Sequence, residues 1–157
     1  MTPEPQSSTA LLDRIESAMR DAMRARDEQR TQTLRMAMAA AHNLRIERRR
    51  DLTDEEVVDV LGKQVKQRRE SITMYRDAGR DDRAAAEEAE AAILAEFLPE
   101  QLADDEIERL ARAAIAETGA SSPSDMGKVM GRLSPQTRGR ADGRAVSEVV
   151  RRLLAEG

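Results

Sequence analysis

The sequence predicts an all-α protein, a four-helix N-terminal unit followed by a three-helix tail, and three observations carry that expectation. Apolar residues recur at three- and four-residue spacing in successive stretches, and no stretch alternates as a half-buried strand would. Tyr75 and Phe97 are the only aromatic residues, so the core must be built from Leu, Ile, Val, Met and Ala, a set suited to closely packed helices. Helix-start and helix-stop residues punctuate these stretches, and the strongest stop, Pro99 within L-P-E-Q-L, marks the boundary between the two units.

The opening M-T-P-E-P-Q-S-S has no signal-peptide core and reads as a disordered tail over residues 1–8. The N-terminal helical domain then spans 9–98. Its first helix is expected from Thr9 to Arg26, with Leu12, Ile15, Met19, Ala22 and Met23 on one face. The second runs from Glu28 to Arg49, with Leu34, Ala37, Met38, Ala41 and Leu44 inward, and ends in arginines that suit the negative end of a helix dipole. Thr53, three residues before Glu56, opens the third helix as a capping box. Val57, Leu61, Val65, Ile72 and Tyr75 form its stripe, and Gly79 supplies a left-handed cap. Arg68 falls on that stripe, which implies a buried ion pair or a side chain that snorkels to the edge. The fourth helix, Asp81 to Phe97, is expected to turn Ala86, Ala89, Ile93 and Phe97 inward.

The tail domain, 99–157, begins with a helix from Asp104 to Thr118 that carries Ile107, Leu110, Ala111, Ala114 and Ile115 on one face and closes at Gly119. Ser122-Pro123 with Asp125 is a second capping-box start. Met126, Val129, Met130 and Leu133 then make a narrow stripe, and Pro135 is expected to stop the helix. Asp142, ahead of Gly143, caps the last helix, whose stripe is Val146, Val149, Val150 and Leu153. Gly127 and Gly131, four apart within a helix, each cost about 1 kcal/mol relative to alanine, so a close neighbour is expected there: an adjoining helix or a ligand backbone.

The chain lacks cysteine, which excludes disulfides and thiolate metal sites and suits a reducing cytoplasm. No apolar run approaches membrane-spanning length, so no membrane partner is expected. Net charge is −4, but from Gly119 onwards seven basic residues face four acidic ones. His42 is the sole histidine and reads as a surface residue, so there is no His-based metal cage and no Ser/His/Asp set for acyl transfer. The acidic triplets Asp54-Glu55-Glu56 and Asp104-Asp105-Glu106 stand at helix starts, where carboxylates favour the dipole. G-K-V-M-G is not a phosphate loop. No catalytic residue, metal or cofactor is therefore expected. What remains is the basic turn of the tail: Lys128, Arg132, Arg138, Arg140 and Arg144 suit a phosphate backbone, and solvated surface explains the same residues.

D-M-G-K-V-M followed by G-R-A-D-G at this spacing resembles the C-terminal tail domain of the GatB/YqeY family. L-R-M, K-Q-R-R-E-S-I, A-G-R and F-L-P-E-Q-L extend a resemblance to the stand-alone YqeY-like proteins over roughly residues 10 to 155. The resemblance implies an all-helical GatB/YqeY-type tail and association with tRNA, since similar tails on the B subunit of the tRNA-dependent amidotransferase and on some glutaminyl-tRNA synthetases help hold tRNA. The expectation is thus a cytoplasmic, tRNA-associated accessory protein without autonomous activity. The alternatives are a protein-interaction module that meets the translation or aminoacylation machinery, and a non-catalytic subunit of a carbon–nitrogen ligase using glutamine as amido-N-donor.

Overall fold

A computed structural model of the chain describes the backbone of residues 7–156 and the side chains of residues 10–156. Among these residues the fold is all-α, with no strand. The helices are α1 (Ser7–Arg24), α2 (Glu28–Arg48), α3 (Asp54–Asp77), α4 (Asp81–Ala95), α5 (Asp104–Thr118), α6 (Met126–Thr137) and α7 (Gly143–Glu156), with a 3-10 turn at Pro123–Asp125 leading into α6. The chain divides between Leu98 and Pro99 into two compact units. Of the stretch read as a disordered tail, residues 1–6 lie outside the described residues, and Ser7 and Ser8 belong to α1.

In the first unit Leu11, Ile15, Leu34, Ala37, Ala41, Leu52, Val57, Leu61, Val65, Leu94 and Phe97 form one buried cluster. Asp27 caps α2 by accepting the Arg30 N–H at 3.0 Å. Thr31 and Thr33, both buried, donate their hydroxyls to the carbonyls of Asp27 and Gln29, one turn back, so neither is an orphaned polar group. The Thr53–Glu56 capping box forms as expected, and Glu56 does more than cap: Arg48 and Arg50 from the end of α2 both bind its carboxylate. The Arg50 guanidinium and the Thr53 N–H hold the Glu56 carboxyl at about 2, well below its ordinary range. Leu52, buried between these two helix ends, plugs the connection.

Arg68 makes a buried polar cluster. It is only 5% exposed, and its Nε donates to Glu90 Oε2 at 3.3 Å, joining α3 to α4. Its Nη1 donates to the Gln64 carbonyl at 3.2 Å and to Gln64 Oε1 at 3.0 Å, and Nη2 faces the Met36 thioether at 3.9 Å. Of the two alternatives open for this residue, the buried ion pair is the one present.

Three expectations need correction. Met23 is half exposed, and Leu11 takes its place in the core, because the buried arc of α1 is centred on Leu11, Ile15 and Ala22 and Met23 lies 100° round from Ala22. In α4 the buried residues are Ala84 and Leu94; Ala86 is exposed, while Ala89 and Ile93 are half-buried. Seven alanines spread around this helix leave almost no contrast between faces. Third, Pro135 does not end α6, which runs through it to Thr137. A proline in the final turn forfeits a single bond to the carbonyl four residues back, and here that residue, Gly131, is exposed and can turn to water.

The second unit is a three-helix bundle of α5, α6 and α7 around Ile107, Ala111, Ala114, Val129, Leu133, Val146, Val150, Leu153 and Leu154. Gly119, at φ +68°, ends α5 in the left-handed conformation. The Asp125 carboxylate accepts the Ser121 and Ser122 N–H groups at 2.9 and 3.3 Å, which lowers its pKa and fixes the turn into α6.

Two stability measurements follow. Arg68→Ala should destabilise the protein by about 2–4 kcal/mol in urea unfolding at pH 7, while Arg68→Met, which restores apolar volume, should cost less than half of that. Equal losses would show that the ion pair contributes nothing. Glu56 has a depressed folded-state pKa, so its contribution exists above the ordinary value of 4.5 and is lost as pH falls toward about 2. The stability difference between wild type and Glu56→Gln should therefore be constant above about pH 5 and shrink steadily in acid.

Candidate nucleic-acid interface

The five basic residues singled out in the sequence occupy two places in the second unit; Arg109 and Arg112 on α5 and Arg151 and Arg152 on α7 lie apart from them. Lys128 and Arg132 lie one turn apart on the exposed side of α6. Arg138, at the C-cap of α6, Arg140 in the following loop and Arg144 in the first turn of α7 form the second group.

α6 has one buried and one bare side. Val129, Leu133 and Thr137 face the bundle. On the outward side, residues four apart line up into ridges: Gly127, Gly131 and Pro135 form one, and Lys128, Arg132 and Gln136 the next. All six are exposed. A Cβ added at Gly127 or Gly131 would meet nothing within 4 Å. Among the described residues the adjoining helix expected against these glycines is absent; they present open backbone beside Lys128 and Arg132.

Three of the cations on this surface stand beside carboxylates. Lys128 Nζ stands 4.0 Å from Asp125, Arg132 Nε donates to Glu117 Oε2 at 2.7 Å, and Arg144 Nε is 3.7 Å from Glu148. All three basic side chains are at least 60% exposed, and such pairs contribute little and exchange readily for another anion. Asp142 caps α7 by accepting the Arg144 N–H at 3.1 Å, which leaves the helix start facing the same loop.

Arg140 differs from the others. It is half-buried, and its guanidinium turns back onto main-chain carbonyls, Nε donating to Glu100 at 3.0 Å and Nη1 to Gln136 at 3.4 Å. The Leu102 N–H in turn donates to the Arg140 carbonyl at 2.8 Å, and Gln101 Nε2 donates to the Gly139 carbonyl, also at 2.8 Å. Gly139, at φ +73°, makes the turn that allows this. Reasoning from sequence assigned Arg140 to the same role as Arg138 and attached no role to Gln101, because a side chain that binds a loop carbonyl leaves no periodic trace.

In the first unit an open cleft lined by Met23, Arg26, Glu28, Thr31, Gln32 and Arg35 holds no cysteine, histidine or aromatic side chain. His42 is exposed, and no group of three His, Cys, Asp or Glu residues could hold a metal ion. Both aromatic rings are already covered, Phe97 by the Arg14 guanidinium at 5.9 Å and Tyr75 by that of Arg83 at 6.0 Å. No helix among the described residues is long and apolar enough to cross a membrane.

The chain matches the family model described as Yqey-like protein over residues 12–154, and it belongs to that family. It is also similar to a fungal protein from Pyrenophora tritici-repentis, named altered inheritance of mitochondria protein 41, mitochondrial. The two are 28% identical over 158 residues, which cover 98% of this chain and 83% of the relative.

The open glycine ridge makes its own prediction. With no neighbour to clash, Gly127→Ala and Gly131→Ala should each stabilise the protein, by up to about 1 kcal/mol in chemical denaturation. Destabilisation by either would reveal a close contact on that face.

Proposed function

We propose that this member of the Yqey-like family is a tRNA-associated accessory protein that meets the RNA backbone with the outward side of α6 and the loop that follows it. The observation that carries the reading is the pair of uncovered glycines beside Lys128 and Arg132. A helix that gives up stability at two positions with nothing packed on them leaves room for a backbone to approach, and flanking cations suit a phosphate chain. Arg138 and Arg144 extend the same positive surface. The similarity of D-M-G-K-V-M and G-R-A-D-G to the tail domain of the tRNA-dependent amidotransferase B subunit supports the choice of tRNA.

Binding of this kind reads shape and phosphate. Residues 99–157 contain no aromatic side chain, so the surface of the second unit offers no stacking platform for bases. Affinity should accordingly be modest, on the order of micromolar or weaker, and uniform across tRNA species. The protein's role is to hold or present tRNA, in association with a glutamine-dependent carbon–nitrogen ligase, with the chemistry performed elsewhere. We assign it to the cytoplasm, in keeping with a chain free of cysteine; the fungal relative's name places that protein in mitochondria.

One observation favours a second reading, a protein-interaction module: Met23, Met36, Ile46 and Met74 of the first unit are 50–70% exposed. Four single apolar side chains on three helices fall short of a groove, and isolated exposed hydrophobics are ordinary.

Anisotropy titrations of the full chain with labelled bulk tRNA at several salt concentrations decide between the readings. Contacts from Lys128, Arg132, Arg138 and Arg144 predict a slope of log affinity against log salt of about −3 to −4. The double substitution Lys128→Ala/Arg132→Ala should weaken binding and reduce that slope by about 2. Gly131→Ala should weaken binding while leaving the slope unchanged. Absence of wild-type binding at low salt would sink the proposal in favour of the interaction module.

A further inference from the structure

The loop between α6 and α7 is held from outside itself. At the end of α6 the chain must find donors for carbonyls that the helix no longer serves. Thr137 receives the Arg140 and Ala141 N–H groups at 2.9 and 3.1 Å, and Gln136 receives the Arg140 side chain. The Gly139 and Arg140 carbonyls point away from the helix and find their donors in the residues by which the chain enters the second unit. Those donors are Gln101 Nε2 and the Leu102 N–H, each at 2.8 Å. Arg140 closes the arrangement by donating to the Glu100 carbonyl at 3.0 Å. Three hydrogen bonds, two running one way and one the other, thus tie Glu100–Leu102 to Gly139–Arg140, across about forty residues of sequence.

From this geometry we infer that Glu100–Leu102 is a strap that presets the basic loop, and that Arg140 is a positioning residue for RNA binding and not a phosphate ligand. Its functional consequence rests on the RNA reading above; the strap itself does not. With Nε committed to the Glu100 carbonyl and Nη1 directed at that of Gln136, the guanidinium no longer offers its Nε–Nη2 edge to a phosphate. What it supplies is order: Arg138 leaves α6 immediately before the strapped residues and Arg144 enters α7 shortly after them, so the strap sets where both cations stand. A pre-ordered loop binds more tightly because its ordering entropy is not charged to the complex. Gln101 is the partner that makes this separable from charge, since it is neutral and acts only through the Gly139 carbonyl and its own local turn to Pro99.

The test uses the full chain and labelled bulk tRNA, with Gln101→Ala, Arg140→Lys and Arg138→Ala compared at several salt concentrations. Gln101→Ala and Arg140→Lys should each weaken binding about threefold to tenfold, the effect of roughly one hydrogen bond, with the salt slope unchanged. Arg138→Ala should instead lower the slope by about 1. Hydrogen exchange on the free proteins supplies a readout that needs no RNA: the amides of Leu102, Arg140 and Ala141 should exchange faster in Gln101→Ala and Arg140→Lys, while those of Val150 and Leu153 keep their protection. Unchanged exchange at Leu102 would overturn the strap. Normal binding by Gln101→Ala and Arg140→Lys, despite loosened exchange, would overturn the positioning role. A wild type that fails to bind tRNA while the exchange pattern holds would remove the RNA reading and leave the strap standing.

Discussion

α6 ends at Thr137, and the shape of the loop that follows depends on how the chain satisfies the carbonyls left without donors at that helix end. Pro135, in the last turn, removes the donor for the Gly131 carbonyl one turn back and leaves the later ones unaffected. The carbonyls that follow are served by the loop's own amides, by the Arg140 side chain and by Gln101 and Leu102. This is why Arg140 faces inward although its neighbour Arg138 is exposed. It also explains how a loop carrying two arginines acquires a defined shape without burying an apolar side chain of its own beyond the half-buried Ala141.

The two units solve the shortage of aromatic residues differently. The first unit combines an aliphatic core with polar ties between helices: Arg68 to Glu90, Arg30 to Glu96, and Arg48 and Arg50 to Glu56. Only the Arg68 tie is deeply buried, where removal of one partner is expensive. The Arg30 and Arg50 pairs are more exposed and act chiefly by orienting helix ends. The second unit is small and relies on a compact aliphatic core, the Asp125 turn and the strap. Exposed ion pairs add to these, Arg132 to Glu117 between α6 and α5 and Arg152 to Glu108 between α7 and α5.

Much of the fold was legible because it rests on local chemistry. Thr53 with Glu56, Asp142 before Gly143 and Gly119 after α5 each announce a helix terminus by a side chain that binds, or a backbone that turns, within a few residues. Legibility failed where the determinant was tertiary or the pattern had no contrast. The alanine-rich α4 offered several equivalent faces, and only packing against the first unit's core selects Ala84 and Leu94. Pro135 was read as a stop because proline usually is one, yet its place in the final turn makes the loss small. Within the site, the cations were visible as composition, but which of them is bound inward was not: Arg138 and Arg140 are two residues apart and chemically identical. The bare face of Gly127 and Gly131 was visible as a cost without a cause, and the open space above them removes helix packing among the described residues as that cause.

The central claim is that the α6 face and its loop meet RNA. The most direct measurement is a residue-resolved titration of isotopically labelled full-length protein with tRNA, followed by amide chemical-shift changes. The account predicts that the largest changes fall on Gly127, Lys128, Gly131, Arg132, Arg138 and Arg144, with the amides of α1 to α4 unmoved. Changes concentrated instead around Met36 and Ile46 of α2, or none at all at low salt, would contradict it.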